Sequence, residues 1–323
     1  MIAHSGEYRK KNGQRGYVMM NNFIFENKAK VYFGKGGVKE YLGGLLANFG
    51  ETVMLAYGGG SIKCNGVYDE IMGILNAQGK CVVEFSGIMS NPTYAKVQEG
   101  AKLARENHVD LILAVGGGSV SDCCKVISGA FDTLSHAMET YFGKPDENNL
   151  SDDINEAVMR SVIRNIRILL TDPENYDARS ELAQASAMAE NGVLKIGKVT
   201  DFQAHQIEHQ LGAYTNCNHG AGLAVIHPVL YRHIYKSGTA RFTRWAQNVW
   251  GIAPKGSDGE TAVAGIDALA AFIKEIGLPT SFAELGIPAD TDFRAVADST
   301  NITAGCCKKL THDEIYEILQ ECL

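Results

Sequence analysis

The chain has 323 residues, 45% of them hydrophobic, which is enough to bury a sizeable core and suits two domains better than one. Its formal charge of -7 is spread along the chain, which argues against a surface for nucleic-acid phosphates or an anionic membrane and fits small polar ligands. Eight cysteines without CxxC spacing or the density of a secreted scaffold point to a reducing cytoplasm, and no run reaches the roughly eighteen apolar residues of a membrane span.

The start, "MIAHSGEYRKKNGQRGYVMM", is basic and lacks the apolar core of a secretory signal. Residues 1–19 therefore read as a leader or extension, with Met19 or Met20 as the natural start and a transit peptide as the other reading. Apolar alternation first appears in "NNFIFENKAKVYFGKG". "TVMLAY" (52–57) is a short strand that stops at Gly58, Gly59 and Gly60, followed by a helical pattern through "VYDEIMGILNAQG". "KCVVEFSGI" is the next strand, Asn91-Pro92 a turn, and "YAKVQEGAKLARENH" a helix. "VDLILAV" is expected to be a buried strand, ending at Gly116, Gly117 and Gly118. Strands alternating with helices imply βαβ units on a parallel sheet, and ligands of such sheets sit beyond the carboxyl ends of the strands, where both glycine loops lie.

After Gly129 the stretches "NEAVMRSVIRNIRILL", "YDARSELAQASAMAENGVL", "DFQAHQIEHQLGAY", "AGLAVIHPVLYRHIY", "TAVAGIDALAAFIKEIG" and "THDEIYEILQECL" are all helical in period or composition. The expected organisation is an α/β cofactor-binding domain over 20–128 and a helical domain over 129–323.

Asp132 and His136 are four apart and share one face of a helix. His205 and His209 repeat that spacing, and His219 follows in "TNCNHGAG", which reads as a break between helices. One carboxylate and three imidazoles suit Fe(II) or Zn(II), whose borderline preference accepts nitrogen and oxygen donors; satisfied core histidines are the bland reading. His4, His108, His227, His233 and His312 lack this clustering and are expected to be surface or satisfied polar residues. Cys123, Cys124, Cys306 and Cys307 are assigned to packing, and Asp122 to a helix cap or a loop contact.

"GGGSIK" (58–63) and "GGGSV" (116–120) each follow a strand, and backbone without Cβ exposes amides to a diphosphate. Neither is GxGxxG with a downstream ribose-binding acid. Ser61 and Lys63 sit where a phosphate would be held, with no acid at the end of the first strand to repel it.

Taken together, "YFGKG", "GGGSIK", "FSGIMSNP", "AVGGGSVSD", "GAFDTLSHAMETYF", "DFQAHQIEHQLGAYTNCNHGAGLAVIHP" and "WGI" resemble the iron-containing alcohol dehydrogenases, in their butanol dehydrogenase-like branch, over about residues 20 to 323. The resemblance implies the dehydroquinate synthase-like fold of that family, an α/β nucleotide-binding domain with a mostly parallel sheet followed by an all-α metal-binding domain. It implies Asp132, His136, His205 and His219 as ligands of Fe(II) or Zn(II). His209 matches an extra histidine near substrate or nicotinamide that would relay a proton.

It further places the cofactor at Gly58, Gly59, Gly60, Ser61, Lys63, Asn91, Gly116, Gly117, Gly118, Ser119 and Asp122. The acid-free first loop and Lys63 tilt the expectation to NADP(H), with NAD(H) as the alternative. The implied reaction is hydride transfer between the nicotinamide and a primary aliphatic alcohol or aldehyde, in a cytoplasmic homodimer, with the metal polarising the substrate oxygen. A polyol dehydrogenase of the same superfamily and a non-catalytic metal-binding remnant are the competing readings.

One departure bears on the remnant reading. Family members carry several tens of residues, a Thr/Gly/Ser-rich segment among them, between the second glycine loop and the aspartate ligand, and here that segment is missing near residues 126–131. An internal deletion, a gene-model or cloning join and an omitted segment all account for it. "SDCCKVIS" then belongs with the cofactor domain and "GAFDTLSH" with the metal-binding helix.

Overall fold

A computed structural model of the chain describes residues 30, 32, 34–88, 94–116, 123–145 and 148–323, without the side chains of 61, 94 and 123–128. The expectations for His4, Met19, Met20, Asn91, Gly117, Gly118, Ser119 and Asp122, and for the side chains of Ser61, Cys123 and Cys124, lie outside the described residues.

The first part of the chain runs α1 (Gly37–Leu46), β1 (Thr52–Tyr57), α2 (Ser61–Cys64), α3 (Val67–Ala77), β2 (Cys81–Phe85), α4 (Tyr94–Glu106) and β3 (Leu111–Val115). The strands are parallel in the order β2-β1-β3, with Val53 of β1 opposite both Val82 and Leu111. Val53 through Tyr57 are buried without alternation because β1 is central and covered on both faces. Ile71 and Leu75, one turn apart on α3, close over Leu46, Val53, Leu55, Tyr57 and Ile62 to form a small core.

β3 corrects the sequence expectation of a buried strand. Its residues alternate between half-buried and exposed, and Ile112 is 59% accessible. A run such as "LILAV" suits a strand covered on both faces, but among the described residues nothing covers this face of the sheet edge.

The rest of the chain is helical: α5 (Cys123–Tyr141), α6 (Leu150–Thr171), α7 (Tyr176–Glu190), α8 (Gln203–Thr215), α9 (His219–Ile234), α10 (Thr239–Asn248), α11 (Asp258–Glu275), α12 (Phe293–Ser299) and α13 (His312–Glu321). Among the described residues of this part, the extended pairing is a single antiparallel bridge between Lys144 and Val199. Its core shares no residue with the first and is built around Phe142, Tyr231, Phe242 and Trp245, with Phe142 stacked on Phe242 at 4.1 Å. α5 crosses the expected seam at 126–131 as one unbroken helix, so no change of local structure marks the join.

Candidate metal centre

Three helices supply the polar groups. Asp132, His136 and Glu139 lie along one face of α5, at spacings of four and three residues. His205, Glu208 and His209 belong to α8, and His219 is the first residue of α9 rather than part of the break before it.

The break itself is three residues long. Asn216 takes a left-handed conformation that ends α8, and the Asn218 side chain accepts from the Ala221 backbone N–H to start α9. α8 is anchored to α5 at its other end, where the Asp201 backbone N–H donates to the Glu139 carbonyl at 2.9 Å. The buried Asp201 carboxylate also accepts from the Gln203 and Cys307 backbone N–H groups, at 2.9 and 2.7 Å.

This scaffold brings Asp132, His205 and His219 together, with one potential ligand atom from each lying within 4.8 Å of the others. Asp132 Oδ1 is 3.4 Å from His205 Nε2 and 3.4 Å from His219 Nε2. Donors held about 2.0–2.1 Å from a tetrahedral ion stand roughly 3.3–3.4 Å apart, so the spacing suits such an ion. Asp132 Oδ1 and His205 Nε2 are buried polar atoms with no hydrogen-bond partner, a costly arrangement that a cation at their centre resolves. His136 stands at the edge of this trio, its Nε2 3.7 Å from Asp132 Oδ1 and 3.0 Å from Glu190 Oε1. His209 lies outside the trio, its ring stacked beside that of His219 at 5.3 Å.

Two buried carboxylates escaped the sequence reading. His205 Nδ1 hydrogen-bonds to Glu139, which also accepts from the Ala204 backbone N–H at 2.5 Å, and His219 Nδ1 hydrogen-bonds to Glu208. Each carboxylate can accept the Nδ1–H hydrogen bond and so turn Nε2 toward Asp132, the orientation metal ligation requires once the Nε2 proton is displaced. The available signal was their spacing, Glu139 three residues beyond His136 and Glu208 three beyond His205. Replacing Glu208 by glutamine, which can present its amide N–H to Nδ1, should weaken zinc binding by about 10–100-fold with unchanged helix content. A chelator-competition titration with circular dichroism checks this.

Electrostatics within the cluster are polarised. Burial opposes charge on every member, yet Asp132 is held well below the usual carboxylate range by the imidazoles of His205 and His219 at 3.4 Å and, less, by His136. Against the same burial, Glu139 and Asp132 push His205 up to about 9, and Asp132 and Glu208 push His219 up to about 10. His136 is down at about 4, through burial and the neighbouring His205 charge, and His209 is also lowered by burial and by His205 and His219.

The raised pair stabilises the ion-free fold fully below the ordinary imidazole value of 6.5, and that contribution is lost as pH rises through 9 to 10. An incoming ion must displace those protons. The melting temperature of chelated protein should therefore fall between pH 7 and 10 while zinc affinity rises, with proton release on binding measurable by calorimetry in two buffers.

Of the remaining histidines, His108 is exposed as expected and three find other partners. His227 is fully buried rather than at the surface, with Nε2 2.6 Å from Ser135 Oγ; His233 pairs with Glu321 and His312 with the Thr300 carbonyl, both at 3.1 Å. At the sheet, Lys63 Nζ is 3.6 Å from Glu84 and lies over the rings of Tyr57 and Tyr68. An acid thus does stand beside the first glycine loop. It comes from the next strand, so reading the end of β1 alone missed it. The 86–88 loop closes on Gly58, where an added Cβ would meet the Ile88 carbonyl oxygen at 3.1 Å.

Two family models match the chain: that for iron-containing alcohol dehydrogenase over residues 28–157, and that for the C-terminal part of the Fe-containing alcohol dehydrogenase family over residues 126–323. NADH-dependent butanol dehydrogenase A of Clostridium acetobutylicum is 28% identical over 389 residues, and probable NADH-dependent butanol dehydrogenase 2 of Bacillus subtilis is 30% identical over 392. Each match takes in 94% of this chain and 100% of the relative. Alignments of that length exceed the 323 residues present, so the shortfall against these relatives falls within the aligned span.

Among solved structures, NADH-dependent butanol dehydrogenase A from Thermotoga maritima superposes with a TM-score of 0.86 at 24% identity, over 94% of this chain and 99% of that one. The aldehyde reductase YqhD from E. coli gives 0.81 at 25% identity, over 94% and 100%.

Proposed function

The chain belongs to the iron-containing alcohol dehydrogenase family, and from that premise we propose that it interconverts primary aliphatic alcohols and aldehydes of about butanol size, using NADP(H) and a divalent ion held by Asp132, His136, His205 and His219. The observation that carries this reading is the convergence of Asp132 Oδ1 and the two Nε2 atoms at 3.4 Å, with two of those three atoms buried and unpartnered. A divalent ion in such a site supplies Lewis acidity toward a carbonyl or hydroxyl oxygen. Fe(II) and Zn(II) both suit the donors.

The protein's own groups do the rest. Glu139 and Glu208 fix the imidazole tautomers, and the α8–α9 turn sets His219 against Asp132. His209, exposed beside His219 and neutral near pH 7, exchanges a proton with the substrate side of the site. Residues 20–128 bind the cofactor and 129–323 the metal. Gly58, Gly59, Gly60 and Gly116 end strands at the carboxyl edge of the sheet, where a dinucleotide approaches. Lys63 at that mouth supports NADP(H), against Glu84 at 3.6 Å, which would repel a 2′-phosphate. Lys63→Ala should weaken NADPH binding about tenfold more than NADH binding, read by fluorescence titration of both.

A second reading has its own observation. β3 leaves Ile112 exposed on an uncovered face, and the shortfall within the aligned span fits a metal-binding protein whose cofactor domain no longer closes. Turnover separates the readings. Butanal-dependent oxidation of NADPH by the full chain, abolished by chelation and restored by Fe(II) or Zn(II), is the expected result. Stoichiometric metal without micromolar NADPH binding would favour the remnant, and preference for glycerol over butanol would favour a polyol dehydrogenase.

A further inference from the structure

The carboxylates around the cluster are not equivalent. Glu139 and Glu208 stand behind their histidines, on Nδ1, and are buried. Glu190 approaches from the opposite side: its Oε1 lies 3.0 Å from His136 Nε2, the nitrogen that faces Asp132 Oδ1 at 3.7 Å. It therefore approaches His136 at the nitrogen that faces Asp132, beside the trio of Asp132, His205 and His219 and not within it. It is also half-exposed, with 51% of its side chain accessible, and so has freedom to move toward an ion.

Helix energetics do not ask for an acid at this position. Glu190 is the last residue of α7, whose C-terminal carbonyls carry partial negative charge, and no basic residue occupies that last turn. A second anion there is also repelled by Asp132, the other carboxylate facing His136, a repulsion that Lys195, His205 and His219 oppose. A divalent cation between them turns both repulsions into attractions. The 3.0 Å between Glu190 Oε1 and His136 Nε2 is a hydrogen-bond contact in the ion-free protein, and it is also roughly the spacing of adjacent donors about 2.1 Å from a five- or six-coordinate ion.

We propose that Glu190 is an additional ligand of the metal centre, supplying a second carboxylate on the His136 side and favouring an ion that accepts more than four nitrogen and oxygen donors, such as Fe(II), Mn(II) or Co(II). This rests on the reading of Asp132, His136, His205 and His219 as a metal site, and it sets which ion that site prefers. Zn(II) in a closed tetrahedral set has no use for the extra oxygen.

Cobalt(II) tests it, because its visible absorption is weak in five- or six-coordinate sites and intense in tetrahedral ones. The full chain and its Glu190→Gln variant, with helix content compared by circular dichroism, are titrated with Co(II) against a competing chelator. The wild-type chain should show the weak spectrum, and Glu190→Gln should bind at least about tenfold more weakly with a more intense, tetrahedral band. Glu190→Asp, which keeps the charge on a shorter arm, should restore part of the affinity. An unchanged spectrum in Glu190→Gln overturns the proposal, whether affinity is kept, showing a surface residue, or falls, showing an effect through charge alone. Failure of the wild-type chain to bind Co(II) overturns the metal-site reading itself, which separates the two failures.

Discussion

Asp132→Asn should produce a chain that folds with unchanged helix content and binds zinc at least about 100-fold more weakly than the native chain. Four-ligand zinc sites in small domains bind with roughly 10–16 kcal/mol, or about 3 kcal/mol for each donor, so a neutral amide in place of the one carboxylate of the trio removes about two orders of magnitude. Asp132 has further weight because its Oδ1 lies against both His205 Nε2 and His219 Nε2, whereas each histidine meets a single face of the cluster. Chelator competition measures the loss. An affinity within threefold of native would mean that Asp132 is not a ligand and that the cluster is a hydrogen-bonded core.

Asp152→Asn should destabilise the helical domain by about 3–5 kcal/mol, because it removes the buried carboxylate that Lys198 and Arg241 share. Asp152 Oδ1 lies 2.5 Å from Lys198 Nζ and 2.8 Å from Arg241 Nη1, and the side chains of Asp152 and Lys198 are fully buried. The same residue completes the capping box of α6, accepting from the Asn149 backbone N–H at 3.0 Å. The expected fall in melting temperature is about 10 °C or more. Lys198 lies three residues before Asp201, which ties α8 to Glu139, so zinc affinity should fall too. A change under about 1 kcal/mol would show that water reaches the triad.

Much of the side-chain cluster proposed as a metal centre was legible because helical periodicity is local. Asp132 with His136, and His205 with His209, share faces by spacing alone, and the polar stretch around Asn218 read as a break between helices, although His219 proves to open the second of them. What stayed hidden were contacts made across the sequence. Glu139 meets His205 sixty-six residues away, and nothing in the pattern of α5 distinguishes that buried acid from a solvated one. Glu190 and the pairing of Asp152 with Lys198 and Arg241 depend likewise on how helices cross.

In the sheet, the alternation of strands and helices conveyed parallel pairing, and the middle place of β1 matches its unbroken apolar run. The same rule misled at β3. Composition records which faces a strand is suited to bury, while exposure depends on what lies over it, and Ile112, in register with the buried Met54, is still 59% accessible at the sheet edge.

The most direct test of the metal centre is elemental analysis of the full chain after dialysis against Fe(II) or Zn(II), with Asp132→Asn treated identically. The expected result is a stoichiometric ion in the native chain and a trace in the variant. Equal, substoichiometric metal in both would contradict a centre built on Asp132, His205 and His219.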